Sequence, residues 1–397
     1  MQLKVLTICD RYNWGGASKV AKTIHEQLIE RGHECLYLYG YDKKGLPNKK
    51  FPKGVITAGY LPSPPLNFLS YNLVGKNLFP GNHRKLSNLI KNADIVHIHN
   101  VHDYGFRYNQ LVELINQHDK PVVITCHDSW YISGRCSLPK ECTIWRQGCN
   151  KCPHMDYYHR SVFDFAKRER VRKLAAFKSI RRLKFVSPSR WLAAYVREVY
   201  GEDICTIISN SVDTSLFRFD PDKQEDLDVP NFPSLLLVAN DFADKMKIDV
   251  QLINLLINKG FRLHIVGAHS PYTGKNVVNH GTLSGTEISI LMSRCHIHLF
   301  MSKLDNQPLV VIESLCSGMM QLTFRSAAIM SMDIDADCIF LEDVTANELL
   351  EYLHSKVLQL EISSGARLAR SQKYRARFNK DRMIESYIAE YYKLINL

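Results

Sequence analysis

The sequence predicts an α/β protein made of two doubly wound, Rossmann-like domains with parallel sheets. Three observations carry that prediction. Short apolar, β-branched runs alternate with stretches of helical periodicity along most of the chain, the pattern of strands covered on both faces by crossover helices. The rhythm stops in a polar, acidic stretch between residues 210 and 234, with Pro221, Pro230 and Pro233, and then restarts. A chain of 397 residues also has room for two or three domains at roughly 100–200 residues each.

The elements follow in order. Residues 3–8 read as a buried strand, 10–17 as a loop, and 18–31 as a helix in which Val20, Ala21, Ile24, Leu28 and Ile29 share a face. Gly32 punctuates before a strand at 35–39, and further strands are expected at 95–98 and 122–125, with helical 111–116 between them. Two insertions break the pattern. Residues 61–80 carry four prolines and read as too Pro-rich for a helix or a central strand. Residues 128–158 are equally irregular and hold a cysteine cluster. The α/β pattern resumes with 235–239, 248–259, 263–266, 286–295, 297–301 and 309–316. At 379–397 an amphipathic helix puts Ile384, Tyr387, Ile388, Tyr391 and Ile395 on one face. Right-handed crossovers place the loops after parallel strands at one sheet edge, where ligands of open α/β sheets bind.

Composition narrows the function classes. Hydrophobic residues make up 45% and charged residues 23% of the chain, which excludes a wholly disordered chain, a fibrous repeat and a small disulfide scaffold. The 51 Lys and Arg against 40 Asp and Glu give a net charge of +11. That excess favours a polyanionic partner: nucleic acid, an anionic membrane surface or a phosphorylated substrate. No aromatic-basic recognition module is visible, so nucleic acid is not the expected partner. No run approaches the ~18–20 apolar residues of a membrane span, and residues 1–10 lack the pattern of a signal peptide. A cytoplasmic protein with reduced cysteines is the expectation, with peripheral contact at the inner face of the plasma membrane as an extension of it.

The segment 302–318 is the most informative. Asp305 follows a strand, seven residues intervene, and Glu313 lies in the first turns of a helix that ends at a small-residue turn. A carboxylate there suits ligand hydroxyls, while the helix N-terminus attracts anions. This spacing resembles the signature of retaining GT-B glycosyltransferases of family 4, two acidic residues seven positions apart. The resemblance implies that Glu313 binds the nucleotide ribose and Asp305 the donor sugar, although Asp305 stands where the family usually has Glu. Asp305-Asn306-Gln307-Pro308, followed by Leu309, looks like the subgroup that builds colanic acid and O-antigen-type polysaccharides, and these residues are expected to line the donor site.

Other segments match the same family in order. Trp14-Gly15-Gly16-Ala17-Ser18 resembles its N-terminal Gly-Gly loop, where glycines let backbone approach a ligand and Ser18 could face a phosphate. Residues 94–99 resemble its D-x-V-H-x-H strand, with His97 read as core and His99 as an edge residue. His127, at the end of the strand 122–125, falls where the family places a His at the donor–acceptor junction; a neutral imidazole there would orient both substrates. Residues 185–191 and 208–213 resemble segments flanking the interdomain region, with a donor-phosphate role for Arg190. Residues 237–248 correspond to the V-G-R…K-G loop whose cations clamp the diphosphate. Lys247 fits the Lys, Asn240 stands at the Arg, Ile248 replaces the Gly, and Lys245 is the candidate to compensate for the missing cation. Residues 279–283, around Gly281, match the segment that lines the base pocket.

The resemblance therefore implies a GT-B fold, two Rossmann-like domains with parallel sheets facing across a cleft. Residues 1–228 would form the acceptor-side domain, 229–378 the nucleotide-sugar domain, and the helix 379–397 would return to the first. It implies retaining transfer from a UDP- or GDP-sugar, without a catalytic metal, to a polysaccharide or lipid-linked acceptor in exopolysaccharide, O-antigen or lipopolysaccharide biosynthesis. Two other readings share the fold: a non-catalytic nucleotide-sugar-binding partner, suggested by Asn240 and Ile248, and a sugar-nucleotide epimerase. Separately, Cys136, Cys142, Cys149 and Cys152, with a two-residue knuckle between the last pair, could complete a structural zinc site; two disulfides or free thiols are the other readings. Eleven Lys and Arg between residues 160 and 190 read by default as a solvated face, or with Phe68, Leu69 and Tyr71 as a membrane-contacting surface.

Overall fold

The computed structural model describes residues 1–12, 14–40, 52–58, 63–79, 82–137, 142–155, 161–221, 233–242 and 248–396. Its strands are β1 (Lys4–Cys9), β2 (Glu34–Tyr39), β3 (Val55–Thr57), β4 (Ile95–Ile98), β5 (Val122–Thr125), β6 (Leu183–Ser187), β7 (Cys205–Ile207), β8 (Leu235–Asp241), β9 (Leu263–Ala268), β10 (Val277–Gly281), β11 (Ile297–Phe300), β12 (Met320–Thr323) and β13 (Cys338–Phe340). They form two parallel sheets, one of seven strands in the order β3-β2-β1-β4-β5-β6-β7 and one of six in the order β10-β9-β8-β11-β12-β13. In the first, Val5 pairs with Cys35 on one side and Ile95 on the other. In the second, Leu235 pairs with Leu263 and Ile297. Strand order thus reverses between β1 and β4, and again between β8 and β11, the switch points at which open α/β sheets bind ligands. Two Rossmann-like sheets are what the strand–helix alternation predicted.

Each sheet is buried by helices drawn from the same stretch of chain. Leu6, Ile8, Val96, Ile98 and Ile124 pack with Leu111, Ile115, Phe177 and Leu192 from the helices Tyr108–Gln117, Ala166–Lys178 and Arg190–Tyr200. On the opposite face, Cys9, Tyr37 and Tyr39 meet Ala21 of the helix Gly16–Glu30. In the second sheet, Leu236 and Val266 meet Ile312 and Leu315, while Leu237, Ile265 and Leu299 meet Ile253 and Leu256 on the other face.

The chain divides into two compact units, Met1–Ser209 with Ile384–Leu397, and Asn210–Met383. The division falls at 209/210, not at the 228/229 that the resemblance implied. Val212, Phe217 and Phe219 explain the difference: all three are buried, and the first two belong to the second unit's core. Within the first unit, Tyr387 and Tyr391 of the final helix Lys380–Ile395 are fully buried. The Tyr387 hydroxyl hydrogen-bonds Thr125 at 3.0 Å, and the Tyr391 hydroxyl bonds His97 Nδ1 at 2.7 Å.

One expectation is overturned. Residues 61–80 contain a helix, Ser63–Val74. Pro64 and Pro65 sit in its first turn, where no backbone N–H needs an intrahelical partner and the fixed φ is already helical.

Candidate functional site

At the carboxyl edge of the second sheet, β11 runs into a loop and then into the helix Leu309–Cys316, whose N-cap is Pro308. Asp305 in the loop and Glu313, the helix's fifth residue, are both half-buried. Asn306 and Gln307 between them are buried. Gln307 holds the loop's shape: its Oε1 accepts the Asn210 N–H at 2.7 Å, and the Asn210 side-chain amide donates to the Gln307 carbonyl at 3.2 Å. Below the helix start, Ser314 Oγ lies 3.2 Å from His298 Nδ1, and Gln321 Oε1 lies 2.9 Å from the same nitrogen. Burial lowers the His298 pKa to about 4, so this support beneath Glu313 is neutral. Asp305, Asn306, Gln307, Pro308, Leu309 and Glu313 therefore form one contiguous loop and helix start, as the spacing implied.

The neighbouring loops of that edge carry the other donor-site candidates. Asn240 is exposed near the end of β8, and Gly281 closes β10 at φ +65° with open space over it. Gly267 in β9 has φ +145°, and a Cβ there would come within 1.9 Å of the Ala239 carbonyl oxygen. Only glycine allows this close approach of β8 and β9. Lys245 and Lys247 lie outside the described residues.

At the carboxyl edge of the first sheet, Gly15 takes φ +81° as N-cap of the helix Gly16–Glu30, and both glycines leave open space above the backbone. Trp14 beside them is 56% exposed. Ser18 does not face outward: it is buried, accepts the Trp14 N–H at 2.6 Å and donates to the Trp14 carbonyl. A phosphate role for Ser18 is withdrawn, because its hydroxyl closes the turn. Arg190 is exposed at the first position of the helix Arg190–Tyr200.

His127, half-buried just beyond β5, shares a 2.8 Å hydrogen bond between its Nε2 and His99 Nδ1, with the two rings stacked at 5.1 Å. Burial pushes the His127 pKa down to about 4, so it is a neutral hydrogen-bonding group near pH 7. His99 is buried, not an edge residue, because the segment after β5 folds over it and Tyr131 donates to its carbonyl. His97 is core, as expected, at 0% exposure.

Sequence reasoning missed an acid–base cluster beside these histidines. His102 Nε2 lies 2.8 Å from Asp128 Oδ2, and its Nδ1 lies 3.8 Å from Asp10 Oδ2. The same Asp10 oxygen accepts the Asp103 N–H at 2.9 Å, and Asp103 pairs with Arg11 at 2.7 Å. Burial alone would lower the His102 pKa, but Asp128, then Asp10 and Asp103, carry it above its ordinary value. Burial works against ionised Asp128 too, and His102 more than reverses it, holding that carboxyl low. Asp10 has no such excess of positive neighbours, and burial raises it to about 7. The five residues Asp10, Arg11, His102, Asp103 and Asp128 come from loops after β1, β4 and β5.

Cys136, Cys142, Cys149 and Cys152 are free thiols, and among the described residues no three His, Cys, Asp or Glu side chains converge to hold a metal ion. Cys149 Sγ instead accepts the Gly134 N–H at 3.1 Å. The basic run is only partly a solvated face. Lys173 is buried, donates to the Gly134 carbonyl at 3.1 Å and lies 3.9 Å over the Trp130 ring, while Arg181 and Arg182 pair with Asp119. No helix among the described residues is long and apolar enough to cross a membrane.

Comparison with known proteins bears on the fold and the family. A glycosyl transferase of Escherichia coli strain K12 named WcaC, assigned to colanic acid biosynthesis, is 27% identical over 409 residues, covering 99% of this chain and 100% of the relative. A glycosyltransferase from Rickettsia africae ESF-5 superposes with a TM-score of 0.66 at 16% identity, covering 99% of both chains. Anabaena Alr3699/HepE, solved with UDP, superposes with a TM-score of 0.68 at 14% identity over 100% of both chains; it has also been solved with UDP-glucose. These neighbours share the GT-B fold, two parallel-sheet Rossmann-like domains. The sequence model of Glycosyltransferase Family 4 matches residues 14–216, and the chain belongs to that family.

Proposed function

We propose that this glycosyltransferase of polysaccharide biosynthesis transfers a sugar, with retention, from a nucleoside diphospho-sugar to a glycan or lipid-linked acceptor. The observation that carries the reading is the contiguous loop and helix start from Asp305 to Glu313, held in shape by Gln307 and Asn210 at a strand-order switch point of the second sheet. Glu313 grips the ribose hydroxyls and Asp305 the sugar. The helix N-terminus, with Lys247, Lys245 and Arg190, balances the diphosphate as charge develops on it. His127, neutral at working pH, orients the sugar and the incoming hydroxyl. The hydroxyl then attacks from the face the diphosphate leaves, and the leaving phosphate takes its proton. The donor is proposed to be a UDP-sugar, which the UDP and UDP-glucose complexes of the Anabaena protein favour.

Membrane contact belongs to the same proposal. The helix Ser63–Val74 buries two polar side chains and leaves four apolar ones exposed. Asn67 and Ser70 face inward, with the Asn67 amide donating to the Phe79 and Tyr104 carbonyls at 3.1 and 3.0 Å. Phe68, Leu69, Leu73 and Val74 face outward at 37–55% exposure. Arg168 donates to the Val74 carbonyl, so cations border this apolar surface, the combination that seats on an anionic bilayer. Tyr71 is not part of it, since burial encloses that ring and raises its pKa.

Thermal midpoints across nucleoside diphosphates, together with sugar transfer by wild type and Glu313→Ala, test the proposal. A ligand that binds the native state raises the midpoint, and UDP is expected to do so. Glu313→Ala is expected to lose about 100-fold or more in kcat/KM, the scale of a lost transition-state contact. Equal turnover by wild type and variant would reject the assignment. Binding of UDP without turnover by either would favour the second reading, a non-catalytic donor-binding partner, which Asn240 at the place of the family's Arg supports.

A further inference from the structure

Below the loop that follows β4, the first unit encloses a cavity of about 90 Å³. Whole-ligand pockets run to ~300–1,000 Å³, so this one suits a single substituent and not a complete sugar. Its wall includes Val101, Trp130 and Tyr108. Four further groups give it a charge and a hydrogen-bonding demand.

Arg172 is neutralised by Glu169, whose Oε2 also accepts the Tyr108 hydroxyl at 3.3 Å. The other two cations on the wall, Lys76 and Arg107, have no side-chain ion pair or hydrogen bond among the described residues. Asn77 between them is half satisfied. Its Nδ2 donates to the Asp103 and Phe106 carbonyls at 3.1 and 2.7 Å, while its buried Oδ1 has no partner. A buried amide oxygen without a donor is uncommon enough to need a ligand or a water. Two uncompensated cations and one waiting acceptor match an anion that carries a hydroxyl beside it.

The cavity is built in advance. The Asn77 amide ties the loop 103–106 to the turn after the helix Ser63–Val74. Gly134 packs so closely on the helix Ala166–Lys178 that a Cβ would fall 2.5 Å from the Ala166 carbonyl oxygen. The aromatic wall lowers the local dielectric, which strengthens attraction for an anion. His102, which also lines the cavity, bonds Asp128, the neighbour of His127, so an occupant would lie on the acceptor side of the proposed chemistry.

We propose that this cavity binds the anionic substituent of the acceptor, a carboxylate or a phosphate with a free hydroxyl beside it, and so selects acidic over neutral acceptors; this rests on the glycosyl-transfer reading above. Two sources present that chemistry, a uronic acid ring and a sugar phosphate.

Calorimetric titration of the full chain without donor, using methyl glucuronide, glucose 1-phosphate and neutral methyl glucoside, decides it. At least one anionic probe is expected to bind about tenfold more tightly than the neutral one, the scale of a charge-assisted contact, and the better of the two names the source. Arg107→Gln and Lys76→Gln should each erase most of that preference while the UDP-induced rise in midpoint stays at its wild-type value. Should Arg107→Gln fold poorly, Lys76→Gln, on an exposed turn, and a loss of preference with added salt carry the same test. Equal binding of all three probes, or wild-type preference in the variants, would overturn the assignment. Anion preference without any UDP response would leave the cavity standing and remove the donor reading instead.

Discussion

His102 shows how much a single side chain settles in the first unit. Its imidazole lies between the Asp128 and Asp10 carboxyl groups, with side chains only 5–11% exposed. Removing one member of a buried pair leaves the other's charge uncompensated, at a cost of about 3–5 kcal/mol. His102→Ala is therefore expected to cost that much in urea unfolding. Asp10→Asn should cost far less, because burial already raises Asp10 to about 7 and half its population is neutral at that pH. Equal losses in the two variants would show that the cluster is not organised around His102. The same cluster marks the limit of the sequence. Asp305 and Glu313 were legible because one loop and one helix start hold both. Asp10, His102 and Asp128 are brought together by β1, β4 and β5 lying side by side, and no spacing along the chain encodes that. His99 was misjudged for a related reason: the segment that covers it lies far beyond it in sequence.

Elements were legible where one periodicity ran long enough. The helix Lys380–Ile395 was readable from its apolar face, and Ile384, Tyr387 and Tyr391 are buried as that face requires. The short strands β3, β7 and β13, three residues each, carry too little pattern to find. The helix Ser63–Val74 was hidden by prolines that in fact start it. Its exposed apolar side chains lead to a prediction at this scale. A Phe68→Ser, Leu69→Ser double variant removes mostly exposed apolar area and one edge-on ring contact, Phe68 with Tyr104 at 5.2 Å, so its thermal midpoint should fall only slightly. Its sedimentation with vesicles containing anionic phospholipid should fall several-fold, since each buried CH₂ contributes about 0.8 kcal/mol to membrane binding. Unchanged vesicle binding would place the contact elsewhere or nowhere.

Across the whole molecule, buried neutral imidazoles recur in both units. Burial lowers His97 to about 3 and His25 and His127 to about 4 in the first unit, and His264, His296 and His298 to about 4 in the second. Each is a base whose folded pKa lies below its unfolded value near 6.5. The stability it contributes is complete above about pH 6.5 and is lost as pH falls toward the folded value, because only the unfolded chain takes up the proton. For the fully enclosed His97 and His298 this is about 2 kcal/mol each by pH 5, at 1.36 kcal/mol per pH unit. Asp10 acts with the opposite sign: raised to about 7, it is penalised in the folded state as pH rises from about 4, so acidification relieves it. His102 and Glu169, both raised, act with the same sign as Asp10, but these are three groups against six, and His99, His33 and His280 are lowered too. Asp128 and Asp337, held below the ordinary carboxylate range by His102 and by Tyr374 and Arg370, give up their contribution only below about pH 4. Stability should therefore drop steeply between pH 7 and pH 5, before the structural carboxylates titrate, and any separate unfolding transitions of the two units should both shift. His298→Gln, whose amide can still meet Gln321, is expected to flatten the second unit's dependence over that range even if its midpoint at pH 7 is lower. A midpoint that holds constant or climbs from pH 7 to pH 5 would mean that these imidazoles are not neutral and buried in solution.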